Sequence, residues 1–386
     1  MPKVSPTLSV MFAYSATGVF WGAFAAATPA IMNLSGLDAG GFGLLLVVMT
    51  AGAVPAMVFL SRLPMRLMRW VLLGSLSLFA VAALALSQST DLISLTVAFL
   101  LAGAASGASD VALNLRVSEI ERSGVGRLFN RAHAMFPLAY VVASPIAGLA
   151  RDSGVGLELI FLCVCAVLVG AALIETAAAM GQQPMASVDG AEQSAGGFRS
   201  YGLLLMIGIV AALGAFQEMA VQTWSAIFME SVLFASASLS SLAPAAFTAG
   251  LSLGRFAAHF LEGVFEAVRL TFLMSALGVF AFVIIAASST TLLALVGFAL
   301  AGVAVGPIEP TVYRTVTERT TERQRATALS AVTMIVYIGY LSSPPLLGAV
   351  AQMFDYQTLW LVGAGFALSI VVLLSVLRRT LVAKKP

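Results

Sequence analysis

Charge is what this 386-residue chain has least of: Asp, Glu, Lys and Arg make up 10% of it, against 60% hydrophobic residues. A soluble domain is about 25% charged and about 45–50% apolar, so a water-soluble enzyme, a nucleic-acid binder and a disordered chain are excluded. The net charge of +2 leaves no basic surface for a polyanion, and no nucleic-acid partner is expected. Lysine is confined to Lys3, Lys384 and Lys385, so there is no Gly-x-x-x-x-Gly-Lys phosphate loop and no ATP hydrolysis by that route. Cys163 and Cys165 lie one residue apart in an apolar run and cannot frame a disulfide scaffold. With only two histidines besides, no metal site, cofactor or catalytic constellation is expected.

What the chain has is long apolar runs. A helix rising about 1.5 Å per residue needs about 20 such residues to cross a hydrocarbon core of about 30 Å. Twelve runs meet that need, near 8–33, 41–61, 70–87, 92–116, 128–150, 157–178, 201–227, 239–260, 269–287, 291–314, 325–350 and 357–378. The first, about 25 residues long, exceeds the roughly 7–15 of a signal-peptide core and reads as a span. Barrel strands would alternate with period two, and no such pattern occurs. The expected fold is therefore all-α, a polytopic membrane protein embedded in a lipid bilayer.

Positive loops stay cytoplasmic. Of the twenty basic residues, all but Arg151 fall on one side when the spans are numbered in order, which places both termini in the cytoplasm. The longest polar stretch separates residues 1–180 from 201–386, with 181–200 as a cytoplasmic linker between two six-helix bundles. The halves resemble each other. Span four carries Phe99, Gly103, Gly107 and Asp110, and span ten carries Phe298, Gly302, Gly306 and Glu309 at the same spacing. Tyr140, Pro145 and Gly148 in span five match Tyr340, Pro345 and Gly348 in span eleven. Tight helix packing explains the glycines alone, but not an acid three residues later in both copies.

Two pseudo-symmetric six-span halves joined inside the cell resemble the major facilitator superfamily. The loop between spans two and three of that family carries Gly-x-x-x-Asp-Arg-x-Gly-Arg. Here Ser61-Arg62-Leu63-Pro64-Met65-Arg66 keeps the cations and loses the acid, and Gly254-Arg255 with His259 echoes the pattern in the second half. The resemblance implies a cytoplasmic gate of Arg62, Arg66, Arg116, Arg255 and His259. Gly103 to Asn114 is similar to the fucose-permease branch, in which an asparagine follows the span-four acid by four residues. That branch also has an acid in span one, where this chain offers Tyr14, Ser15, Thr17, Trp21 and Thr28. Glu218 to Ala226 is similar to bacterial inner-membrane relatives of unassigned substrate. The expected location is thus a bacterial inner membrane, and the expected state a monomer.

An ionised side chain at the bilayer centre costs about 2.5–3.5 kcal/mol on insertion scales, so each one there needs a reason. Glu175 lies near a cytoplasmic end and is expected to snorkel. Asp110, Glu309 and Glu218 lie deeper. A carboxyl group that meets water and oil in turn takes up and releases a proton, which makes Asp110 and Glu309 the candidate proton carriers. His133 sits about 10 Å deep, like Asp110 on the neighbouring span, and is expected to share its proton. Pro307 and Pro310 predict a broken helix around Glu309. Glu218, Gln217, Gln222 and Trp224, with Asn114, Trp21, Tyr337 and Tyr340, form a candidate surface for a polyhydroxylated or amine-bearing solute. Two other readings stay open: a proton-driven exporter of amphipathic compounds, and a non-transporting scaffold or sensor.

Overall fold

A computed structural model describes residues 5–60, 63, 67–125, 128–179, 201–261 and 265–382. The chain is all-helical over these residues: α1 Pro6–Ser35, α2 Ala39–Leu60, α3 Met68–Ser87, α4 Leu92–Ile120, α5 Phe129–Asp152, α6 Leu157–Ala179 and α7 Tyr201–Ser231 come first. They are followed by α8 Ala237–Ser240, α9 Leu242–Leu261, α10 Ala267–Ala286, α11 Thr291–Val305, α12 Ile308–Arg319, α13 Glu322–Met353 and α14 Tyr356–Val382. Among the described residues, eleven stretches are long and apolar enough to cross a membrane. Residues 291–319 count as one of them although Gly306-Pro307 breaks the helix, as the prolines predict. The expected span 239–260 corresponds to α9, which is not among the eleven.

The helices form two compact units, Met1–Asp189 with Ser236–Ala245, and Gly190–Ala235 with Ala246–Pro386. The segment carrying α8 and the first turn of α9 thus groups with the first unit, although it was expected in the second half. Asp152 explains this locally, its carboxylate accepting from the backbone N–H groups of Ala237 at 2.8 Å and Ser238 at 3.0 Å. Ser144 adds a bond to the Ser241 carbonyl at 2.8 Å.

In the first unit, Gly103 and Gly107 of α4 lie so close to the Met49 and Ala53 carbonyls of α2 that no Cβ fits. Small residues let backbones meet where there is little hydrophobic drive between helices in lipid. Phe20, buried in α1, packs on Phe79 of α3 at 4.8 Å, and Phe24 on Phe99 of α4 at 5.6 Å. In the second unit, Gly302 and Gly306 meet the Phe247 and Leu251 carbonyls of α9 in the same manner. Its aromatic core gathers Phe228, Phe282 and Phe298 around Trp360. Outward faces carry Ile93, Phe280 and Met353, each well exposed, as lipid-facing helix surfaces require.

Candidate functional site

The first unit contributes a polar triangle from three helices. Tyr14 of α1 donates to Asn114 Oδ1 of α4 at 3.1 Å, and its hydroxyl stands 3.1 Å from His133 Nε2 of α5. The triangle closes with Nε2 and Oδ1 at 2.8 Å. Asp110 lies one turn before Asn114, is exposed, and is near enough for its charge to reach the Tyr14 hydroxyl. His133, expected to share a proton with Asp110, has hydrogen bonds with Asn114 and Tyr14. Tyr14 is a site residue that sequence reasoning did not select. Its signal was the spacing Tyr14, Gly18, Gly22, a single helix face ending in two residues that admit a close neighbour.

The second unit holds a denser cluster. Pro310 has no N–H for the Gly306 carbonyl one turn back, so that oxygen is free to accept elsewhere. Arg255 of α9 takes it through Nε at 3.2 Å and reaches Glu218 Oε2 of α7 through Nη2 at 3.3 Å. Gln222, one turn beyond Glu218, donates to Oε1 at 3.2 Å. Tyr340 of α13 donates to Glu309 Oε2 at 3.3 Å, and Tyr313 lies four residues beyond Glu309 on α12. Tyr313 contacts Thr333 at 3.1 Å. Tyr337 faces Tyr340 with ring centroids 6.5 Å apart. Tyr313 and Thr333 were not selected from the sequence, although the four-residue spacing from Glu309 to Tyr313 was visible there.

Several residues sit differently from expectation. Arg255, expected at a cytoplasmic gate, has its guanidinium on Glu218 and on the Gly306 carbonyl of the broken helix. Arg116, assigned to the same gate, is 4% exposed and pairs with Glu175 of α6 at 2.7 Å, and with Glu119 at 2.7 Å. Glu175 is 1% exposed and does not snorkel, because its counter-charge lies inside the unit. Gln217 is buried on the side of α7 that faces Gly278 of α10, away from Glu218. Trp224 is fully buried and near Tyr356, so its ring is not open to a solute in this conformation. Trp21 is half-buried against Phe20 and Phe24. His259 is exposed on α9, with its ring against Phe260. Arg62 and Arg66 lie outside the described residues. No group of three or more His, Cys, Asp or Glu that could hold a metal occurs among the described residues.

Chemically, the second cluster pairs the Glu218 carboxylate with the Arg255 guanidinium and holds the Glu309 carboxyl group, within reach of both charges, against the Tyr340 hydroxyl. The first brings a carboxyl group, an imidazole, an amide and a phenol together. Either arrangement can hold a proton or hydrogen-bond a polar solute.

The profile of the Major Facilitator Superfamily matches residues 207–386. An uncharacterized MFS-type transporter of Yersinia pestis is 24% identical over 91% of this chain and 90% of its own length. An uncharacterized transporter of Sinorhizobium fredii is also 24% identical, over 97% of this chain and 99% of its own. Among solved structures, the nucleoside transporter NupG superposes with a TM-score of 0.79 at 14% identity, over 96% of this chain and 99% of that one. A bacterial homolog of the human lysosomal transporter Spinster, inward-facing and occupied, gives 0.77 at 15% identity, over 97% and 96%. The two structural likenesses establish the fold alone.

Proposed function

The chain belongs to the major facilitator superfamily and is a multi-pass membrane transporter, and on that premise we propose that it is a proton-coupled symporter of a small organic solute. It works as a monomer by alternating access in a bacterial inner membrane, with both termini in the cytoplasm and its halves related by pseudo-symmetry. The observation that carries this reading is the Glu218–Arg255–Glu309 cluster. Glu218 is already paired with Arg255, so an ionised Glu309, close enough to feel both charges, leaves one negative charge in excess within helices that cross oil. An uncompensated charge there costs about 2.5–3.5 kcal/mol, so a proton or a cationic solute group completes the balance. Glu309 takes that proton. Glu218, with Gln222 and Tyr340, hydrogen-bonds the hydroxyl or amine groups of the solute, and Tyr337 flanks them. In the first unit Asp110 is the second proton carrier, and Asn114 a solute contact. One proton crossing 100 mV releases about 2.3 kcal/mol, enough to concentrate a neutral solute roughly fiftyfold.

The test begins with a thermal-shift screen of the purified protein against nucleosides, sugars and amines. It continues with the stabilising compound in proteoliposomes. Glu309→Gln and Asp110→Asn are each expected to retain exchange of that compound while losing accumulation driven by an inward proton gradient. Undiminished gradient-driven accumulation in both variants would overturn the proton assignment.

A further inference from the structure

The break at Gly306-Pro307 leaves α12 without the rotation that a continuous ladder of backbone bonds from α11 would impose. Its first turns must be seated by other helices. Ile308 supplies one contact, its Cγ2 standing 3.0 Å from where a Cβ at Gly214 of α7 would lie. Glu309 follows, and its carboxyl group receives the Tyr340 hydroxyl at 3.3 Å. One turn on, the hydroxyls of Tyr313 and Thr333 stand 3.1 Å apart. Glu309 and Tyr313 are four residues apart on α12, and Thr333 and Tyr340 seven apart on α13, so each pair shares a helix face. Two rungs thus tie α12 to α13, one at the carboxyl group and one beside it.

The first unit ties its corresponding helices at the corresponding place. Asp110 and Glu309 are 199 residues apart within their matching runs, and the same offset carries Asn114 to Tyr313. Tyr140 and Tyr340 are 200 apart, and that offset carries His133 to Thr333. Asn114 and His133 are bonded at 2.8 Å, as Tyr313 and Thr333 are at 3.1 Å. The partners differ in chemistry, amide with imidazole in one copy and phenol with aliphatic hydroxyl in the other. What the copies share is a bond from the residue one turn after the acid to the helix that follows.

We propose that the Tyr313–Thr333 bond is a strut that keeps Glu309 within reach of the Tyr340 hydroxyl, which makes Tyr313 and Thr333 positioning residues for that carboxyl group. Its use in transport rests on the reading of Glu309 as a proton carrier; the strut itself does not. A hydroxyl that donates to a carboxylate favours the ionised form, so the approach of Tyr340 sets how readily the proton leaves. Without the strut, α12 turns more freely about its axis and Glu309 moves off its donor. Glu218 of α7 and Arg255 of α9 also act on Glu309 through their charges, with Tyr313 on its own helix. Thr333 carries no charge, so removing its hydroxyl leaves those charges as they are.

The test uses full-length protein in lipid nanodiscs and dicyclohexylcarbodiimide, an apolar reagent that adds to protonated carboxyl groups. Peptide mass spectrometry follows labelling at Glu309, and Glu309→Gln identifies that signal. Thr333→Val and Tyr313→Phe are each expected to be labelled about threefold faster than the native chain at the same pH, in keeping with the net worth of one hydrogen bond. Thr333→Ser keeps the hydroxyl and is expected at the native rate. The double variant is expected to be no faster than the faster single one, because both changes remove the same bond. Labelling of Asp110 in the first unit is expected to stay unchanged throughout. An unchanged or undetectable rate at Glu309 in Thr333→Val, no recovery in Thr333→Ser, multiplied acceleration in the double variant, or equal acceleration at Asp110 would each overturn the strut. Neither solute nor gradient is present, so failure of the transport assay and failure of the strut are read separately.

Discussion

Arg116 and Glu175 show how a single buried contact can reverse the reading of a residue. By hydropathy both stand near span ends, where a long side chain reaches water, and position in the sequence says nothing about a partner 59 residues away. Packed together, they are a buried ion pair with 4% and 1% exposure. Such a pair adds little net stability over an apolar replacement, yet removing one member strands a charge at a cost of about 3–5 kcal/mol. Arg116→Met is therefore expected to lower the thermal unfolding temperature in detergent sharply. Arg116→Met combined with Glu175→Leu is expected to recover most of the loss. A double variant as unstable as the single one would show that the pair is not what holds these helix ends. Gln217 makes the complementary point: it is adjacent to Glu218, but successive residues on a helix point about 100° apart, so only Gln222 shares the carboxylate's face.

At the scale of elements, apolar length and turn chemistry were enough to find the helices. Asp91 illustrates this, since Gln88-Ser89-Thr90-Asp91 reads as a break and becomes the start of α4. The Asp91 carboxylate accepts from Ser94 N–H at 2.9 Å while Ser94 Oγ accepts from Asp91 N–H at 3.2 Å, a reciprocal cap. The Ser94 backbone bond holds this carboxyl below its usual range. A depressed value stabilises the folded state above the unfolded pKa, near 3.9, and that contribution disappears as pH falls through the folded value. Acid titration of unfolding temperature from neutral pH downward should thus show a shallower fall for Asp91→Asn than for the native cap, with the two curves converging at the acid end. Parallel curves would mean the cap does not respond to protonation. The break at Gly306-Pro307 was legible for the same reason, because proline removes a donor wherever it stands. What the break does was not legible: the freed carbonyl is taken by an arginine 51 residues earlier, a fact of tertiary packing.

For the whole molecule, the open element is α9, and parity makes it decisive. Eleven crossings put the chain ends on opposite faces of the membrane, and twelve put them on the same face. The twenty residues of α9 reach about 30 Å at 1.5 Å each, long enough to cross, although α9 is not among the eleven stretches apolar enough by composition. Its difficulty is Arg255, and the structure supplies the remedy, a carboxylate at 3.3 Å and a spare carbonyl at 3.2 Å. Charge distribution argues the same way. If α9 stayed on one side, Arg269, Arg314, Arg319, Arg325 and the basic residues at the C-terminal end would all change faces, against the tendency of cations to remain inside. Alkaline phosphatase, which is active only outside the cytoplasm, is accordingly expected to be active when fused after Phe234 and inactive when fused after Pro386. Green fluorescent protein should give the reverse. Phosphatase activity at both positions would mean that α9 does not cross, and Arg255 would then need a partner other than one inside the membrane.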